Sequence, residues 1–227
     1  MDKFLTLLQF ADGLFPAGAH AHSFGLESYV QSGHVSNAEG VEQFLHTYLS
    51  GSVGPTDMVA LLCAWEAGKR GELNACIALD DSLDATKTAS ELREASRQMG
   101  RQTLRVANHF LNHPLVSKFG AAVAADLSPC HHATVFGILG AAMEWSGPDM
   151  ARAFLYSSSA ALVGAALRLL PLGQLTGQRI LWNASPLIAT LAAEAQGKSP
   201  EDMWSFAPAL EIAGMRHATL DARLFRS

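Results

Sequence analysis

The sequence predicts an all-α protein, and three observations carry that prediction. Alanine and leucine dominate, runs of β-branched residues are nearly absent, and most segments between Gly or Pro punctuation repeat at a helical rather than an alternating period. The 227 residues suit one compact domain, and 49% hydrophobic against 16% charged residues supply a large core under a sparsely charged surface. The expected architecture is a single-domain bundle of about eight to ten helices around a buried central helix, with no linker long or polar enough to divide it.

Taken in order, the segment Asp12, Gly13, Leu14, Phe15, Pro16, Ala17, Gly18 reads as a loop. Its apolar Leu14 and Phe15 either fold back into the core or face a partner. Ser36-Asn37-Ala38-Glu39 has capping-box spacing, and Val41, Phe44, Leu45 and Tyr48 then form an apolar stripe on a helix predicted to end near Gly51. Pro55, Pro148 and Pro200 follow Gly54, Gly147 and Ser199, which suits first-turn prolines at three further helix starts.

A long helix is predicted over 88–112, interrupted by no glycine except Gly100 and stopped by Pro114. Arg93, Arg97, Arg101 and Arg105 stack four apart along it, either as a solvated ridge paired with acids or as a docking strip for an acidic partner. Residues 149–170 leave few groups for water, and Ser157, Ser158, Ala161, Gly164 and Ala165 are small. This is the expected central helix, closely packed on all sides, where enlarging Ala161 or Gly164 costs about 1–3 kcal/mol. Residues 153–167 are too short and too serine-rich to span a bilayer. Pro186 is predicted to break the next segment into two pieces.

Charge and cysteine usage exclude several classes. A net charge of -5 without a dense basic run argues against capture of nucleic acid or of an anionic membrane. Cys63, Cys76 and Cys130 form neither an even framework nor a close pair, as expected of small buried residues in a reducing compartment. Met1-Asp2-Lys3-Phe4 has no basic region ahead of an apolar run, so the expectation is a cytoplasmic protein without a signal peptide.

Possible chemistry concentrates at few places. His20 and His22 flank Ala21, and Cys130-His131-His132 forms a second cluster. A tight transition-metal site needs three or four converging ligands, and adjacent residues on a helix point about 100° apart. One histidine of the second cluster is expected to be hydrogen-bonded in the core and the other on the surface. Gly197-Lys198-Ser199 resembles the end of a phosphate-binding loop, but Ala192 stands where the first glycine belongs and Pro200 follows at once. A helix C-cap at Gly197 and an N-cap at Ser199 explain it better. No Gly-x-Ser-x-Gly elbow occurs, and Asp80-Asp81 and Glu201-Asp202 read as turn or first-turn charge. Neither an enzyme nor a resident cofactor is indicated.

The C-terminal stretch is the most distinctive. Two arginines and two large apolar residues close the run, Arg223-Leu224-Phe225-Arg226-Ser227, where order normally fades, as if built to dock. Together with Met215-Arg216-His217 it resembles the ending of the UreF family of urease accessory proteins. Leu7 to Asp12, then Phe15-Pro16-Ala17-Gly18-Ala19-His20-Ala21-His22-Ser23-Phe24-Gly25-Leu26-Glu27, resembles that family's N-terminal signature. Ser96 to Gly100, His132 to Gly137, Tyr156 to Leu170 and Pro171-Leu172-Gly173-Gln174 through Gly177-Gln178-Arg179 follow in the family's order. His20 replaces a common aromatic, and Leu170 stands where a glycine often precedes the Pro-Leu-Gly-Gln run.

The resemblance implies a homodimeric scaffold that binds a UreD/UreH-type accessory protein, recruits a UreG-type GTPase and assists nickel insertion into apo-urease. It implies partner contacts by His20, His22, Arg216, His217, Arg223, Leu224, Phe225 and Arg226, within a docking tail over 215–227. Arg223 would fold that tail against the His20 loop. It implies a dimer face with Arg152 and Tyr156, and it aligns His132 with the family's single histidine there. The alternative is a small helical metal-binding protein using His20, His22, His131 and His132.

Overall fold

The computed structural model describes every residue except Thr219 and Asp221, which leaves those two positions of the C-terminal motif outside the described residues. The helices are α1 (Lys3–Ala11), α2 (Leu26–Gln31), α3 (Ala38–Tyr48), α4 (Val59–Lys69), α5 (Leu73–Thr86), α6 (Ser90–Ala107), α7 (Pro114–Ala124), α8 (His132–Ala142), α9 (Gly147–Leu169), α10 (Gln174–Glu194) and α11 (Pro208–His217). Among the described residues there is no strand. The all-α expectation holds.

The helix buried on every side is α8, not the 149–170 segment. Every residue of α8 from 133 to 140 is buried, and the helix packs most extensively on α4 and then on α6. Glycine permits these approaches: a methyl group at Gly100 of α6 would run into the Cys130 carbonyl ahead of α8. The Trp145 indole, also buried, donates from Nε1 to Thr6 Oγ1 at 2.9 Å and so ties α1 to the core.

The helix α9 buries one face only. Ser157, Ala161 and Gly164 are half-buried along a cleft, and a methyl group at Gly164 would meet nothing within 4 Å. The overpacking expected at Gly164 is therefore wrong, because small residues look alike in sequence whether they admit a neighbour or line a cavity. By length and composition α9 could cross a membrane, but half of its apolar window is buried inside the fold, as in a core helix.

Proline and cap positions account for most other differences. Asn37, not Ser36, caps α3, its Oδ1 accepting the Gly40 N–H at 2.9 Å. Pro55 does not start a helix; it lies inside a π-helix, Leu49–Met58, that joins α3 to α4 without a break. Proline brings no N–H to this turn, and the Gly51 carbonyl, four residues before it, accepts from Phe206 N at 2.9 Å. Pro55 O accepts from Trp204 N at 3.4 Å, so an extended strap lies along the π-helix.

Pro186 does not split α10, because it sits on the exposed face, where water can replace the lost bond. The long arginine-bearing helix stops at Ala107, and Pro114 opens α7 instead of ending α6. Pro148 and Pro200 do stand in first turns, and Ser199 and Asp202 form a capping box. The ridge reading of the arginines also stands: Arg97 pairs with Asp84 and Glu94, and Arg101 with Glu94.

Candidate functional site

Chemistry-bearing residues gather where the N-terminal loops meet the C-terminal stretch. A 3₁₀ turn, Ala19–Ala21, leads through His22 and Ser23 into α2, which places Glu27 in that helix's first turn and buries it. A buried carboxylate needs compensation, and Glu27 accepts from His217 Nε2 at 2.8 Å, Leu224 N at 2.7 Å and Phe225 N at 3.1 Å. The other ring nitrogen, His217 Nδ1, lies 2.8 Å from Glu91 of α6, and Arg223 reaches the same carboxylate at 3.3 Å. One imidazole thus joins α2, α6 and α11.

Beyond this knot the chain lies down on the first loop. Arg226 N donates to the Ala21 carbonyl at 2.8 Å. The Ser227 carbonyl accepts from Ser23 N at 2.5 Å, Phe24 N at 3.2 Å and Ser23 Oγ at 2.8 Å. His22 Nδ1 lies 2.8 Å from Ser227 Oγ. Burial, reinforced by the charges of Arg226, His20 and His217, lowers the His22 pKa to about 4, so its ring is neutral near pH 7. Phe24 adopts a left-handed conformation (φ 54) that non-glycine residues rarely take, and its ring stacks on Tyr48 with centroids 5.4 Å apart.

The residues singled out from sequence divide into two groups. His22, His217 and Phe225 are buried and hold the stretch in place, while His20, Arg216, Arg223, Leu224 and Arg226 are exposed around it. Arg223 contacts α6 rather than the His20 loop; Arg168, at the end of α9, reaches that loop instead, donating from Nη2 to the His20 carbonyl at 2.6 Å. Glu27, Glu91 and Arg168 carried no sequence signal as site residues, because Glu27 and His217 stand 190 positions apart. In the loop, Phe15 turns in against Phe10 (centroids 4.5 Å apart), whereas Leu14 is 93% exposed. Arg152 and Tyr156 are both exposed on one face of α9, with Arg152 bonded to Asp149 at 3.0 Å.

The second histidine cluster is structural. His131 is buried with Nε2 at 2.8 Å from Asp84 and Nδ1 at 3.0 Å from Ser96, and its backbone N–H donates to Asp80. The order Ser96, His131, Asp84 is that of a nucleophile, base and orienting acid. Ser96, however, lies inside α6, where the neighbouring backbone N–H groups are taken up by the helix instead of being free to form an oxyanion hole. Asp80 also accepts from Ser128 Oγ at 2.6 Å and from Cys130 N at 2.5 Å, holding Cys130 at φ 70.

Neither histidine of the pair is on the surface, contrary to expectation, and His132 is half-buried. It packs among Phe136 and Phe154 and faces a cleft of about 320 Å³ lined also by Phe10, His20, Lys87, Ser96 and Arg168. Burial lowers its pKa to about 4. The Cys130 thiol is pushed up to about 12, chiefly by burial, so it stays protonated and is a poor metal ligand. Among the described residues no three His, Cys, Asp or Glu side chains converge as a metal site.

The family model UreF matches residues 35–185. A protein of Bacillus sp. (strain TB-90), named Urease accessory protein UreF, is 31% identical over the full length of both chains. Proteins of the same name from Lachnoclostridium phytofermentans and Actinobacillus pleuropneumoniae are each 32% identical, again over the full length of both chains. With the N-terminal signature and the C-terminal motif now seen folded onto one another, these matches establish that the chain belongs to the UreF family of urease accessory proteins.

Proposed function

We propose that this chain is a cytoplasmic scaffold of urease maturation. It binds a UreD/UreH-type accessory protein through the platform formed by the His20 loop and the C-terminal stretch, and it recruits a UreG-type GTPase as a homodimer. Nickel then reaches apo-urease through the assembled complex, without a catalytic site or resident cofactor in this chain. The observation that carries the reading is the seating of the last residues on the first loop through Glu27, Ser23 and Phe24, with Leu14 and Leu224 left facing outward. Trp204, Phe206, Ile212 and Met215 on the same C-terminal part are exposed as well, which suits a surface awaiting a partner.

Deleting residues 220–227 should abolish co-purification with the UreD-type protein while helical circular dichroism stays nearly intact. Undiminished binding by the truncated protein would sink the platform. For the dimer, Arg152→Ala combined with Tyr156→Asp should give monomers on light scattering that recruit the GTPase poorly, and a fully dimeric double variant contradicts that face. Calorimetry on metal-free protein tests the scaffold against a metal carrier. A single tight Ni²⁺ per chain, lost in His131→Ala or His132→Ala, would favour the carrier.

A further inference from the structure

We propose that Arg168 is the positioning residue that fastens both halves of the platform, the His20 loop and the C-terminal stretch, to the end of α9. The proposal rests on the platform reading for its functional consequence and on geometry alone for the clamp. Arg168 sits in the last turn of α9, where a cation is favoured by the free carbonyl ends of the helix. Its Nε donates to the Gly164 carbonyl at 3.3 Å, which sets the guanidinium across the helix end. Nη2 donates to the His20 carbonyl at 2.6 Å, and the guanidinium carbon lies 4.2 Å from the centroid of the Phe225 ring.

One planar cation therefore touches helix, loop and C-terminal stretch at once. Among the described residues it enters no ion pair, so its charge is left to those three contacts. Phe225 is buried beneath it, and the neighbouring backbone completes the seat: Arg226 N on Ala21 O, and Ser227 O on the amides of Ser23 and Phe24. Phe24 keeps its left-handed backbone only while the surroundings over-determine it, so release of the stretch frees this residue too. Lysine is a poorer fit, since its single ammonium cannot reach the Gly164 and His20 carbonyls through separate nitrogens while a plane lies against the ring. The same rigid helix carries Arg152 and Tyr156, and Arg168 is the link through which the platform is held at a set position relative to that face.

The test is amide hydrogen exchange on the full chain, read at Ser23, Phe24 and Arg226. Arg168→Ala should speed exchange at all three by about tenfold or more while helical circular dichroism is unchanged, because only a local opening is released. Arg168→Lys should recover little of that protection. Phe225→Leu should act in the same direction, and adding it to Arg168→Ala should give little further increase, since the two groups form one contact. Exchange within twofold of the parent in Arg168→Ala, or full protection in Arg168→Lys, overturns the clamp. Titration of the same variants with the UreD-type protein separates the two readings. Faster exchange with unchanged partner affinity keeps the clamp and removes the platform; unchanged exchange removes the clamp whatever the affinity does.

Discussion

Two buried histidines in different regions of this fold each join two helices through both ring nitrogens, with opposite consequences. His131 stands between Asp84 and Ser96, and His217 between Glu27 and Glu91. Beside each, a non-glycine residue is held in left-handed backbone: Cys130 by the Asp80 carboxylate, Phe24 by the Ser227 carbonyl. His217 meets two carboxylates where His131 meets one and a hydroxyl, and the cover differs as well. The His131 knot abuts α8 within the core and cannot open without separating α6 from α8, whereas the His217 knot closes the C-terminal stretch over loops whose outer residues face water. A buried, doubly bonded imidazole thus supplies global stability in one place and local order in the other.

The largest expected effect tests the core knot directly. Gly100→Ala would drive a methyl group into the Cys130 carbonyl, and thermal denaturation should report a loss of about 4 kcal/mol or more, or no folded protein. A mild loss would mean that the α6 contact is loose and the two knots alike. Next comes the matched pair Asp80→Ala and Glu27→Ala. Removing Asp80 strands the Ser128 hydroxyl and two buried backbone N–H groups and should cost about 3–5 kcal/mol of global stability. Removing Glu27 should cost clearly less in urea denaturation yet speed exchange throughout the C-terminal stretch. Equal global losses would erase the distinction.

Acid sharpens the comparison with a smaller effect. His22 and His132 have pKa values lowered from 6.5 to about 4, so the folded state binds fewer protons than the unfolded state between those limits. Stability rises with pH across that window: it is intact above about pH 6.5, falls as pH drops toward 4, and levels off below. For His132 the loss should reach about 3.5 kcal/mol in denaturant titrations, at about 1.4 kcal/mol per pKa unit, and His132→Phe should flatten it. For His22 the acid effect should appear first as local exchange at Ser23 and Phe24. A His22→Asn variant that flattens the global curve as much as His132→Phe contradicts the local assignment.

His131→Ala should be more damaging than His132→Ala, although the resemblance aligns His132 with the family's histidine, because only His131 is hydrogen-bonded through both ring nitrogens; its loss leaves Ser96 without that partner and Asp84 with Arg97 alone. The smallest effect is at Gly164. Its methyl group would meet nothing within 4 Å, so Gly164→Ala should leave stability unchanged or raise it by up to about 1 kcal/mol through helix propensity. A loss of about 1–3 kcal/mol in chemical denaturation would restore the closely packed reading of that helix.

By itself the sequence determined the helical class, the first-turn prolines at 148 and 200, the cap at Ser199, the acid-paired arginine ridge and the family signature at both ends. Each depends on neighbours within a turn or two, or on a string of residues matched in order. Tertiary structure alone decided that α8 rather than α9 is the buried helix, that Pro55 sits in a π-helix whose Gly51 carbonyl accepts from Phe206, and that Glu27, Glu91 and Arg168 hold the C-terminal stretch. Local propensity acts over a few residues and is written in the chain. The partners of a buried carboxylate or a guanidinium are chosen by how distant helices pack, and Glu27 and His217 meet across 190 positions that no local pattern spans.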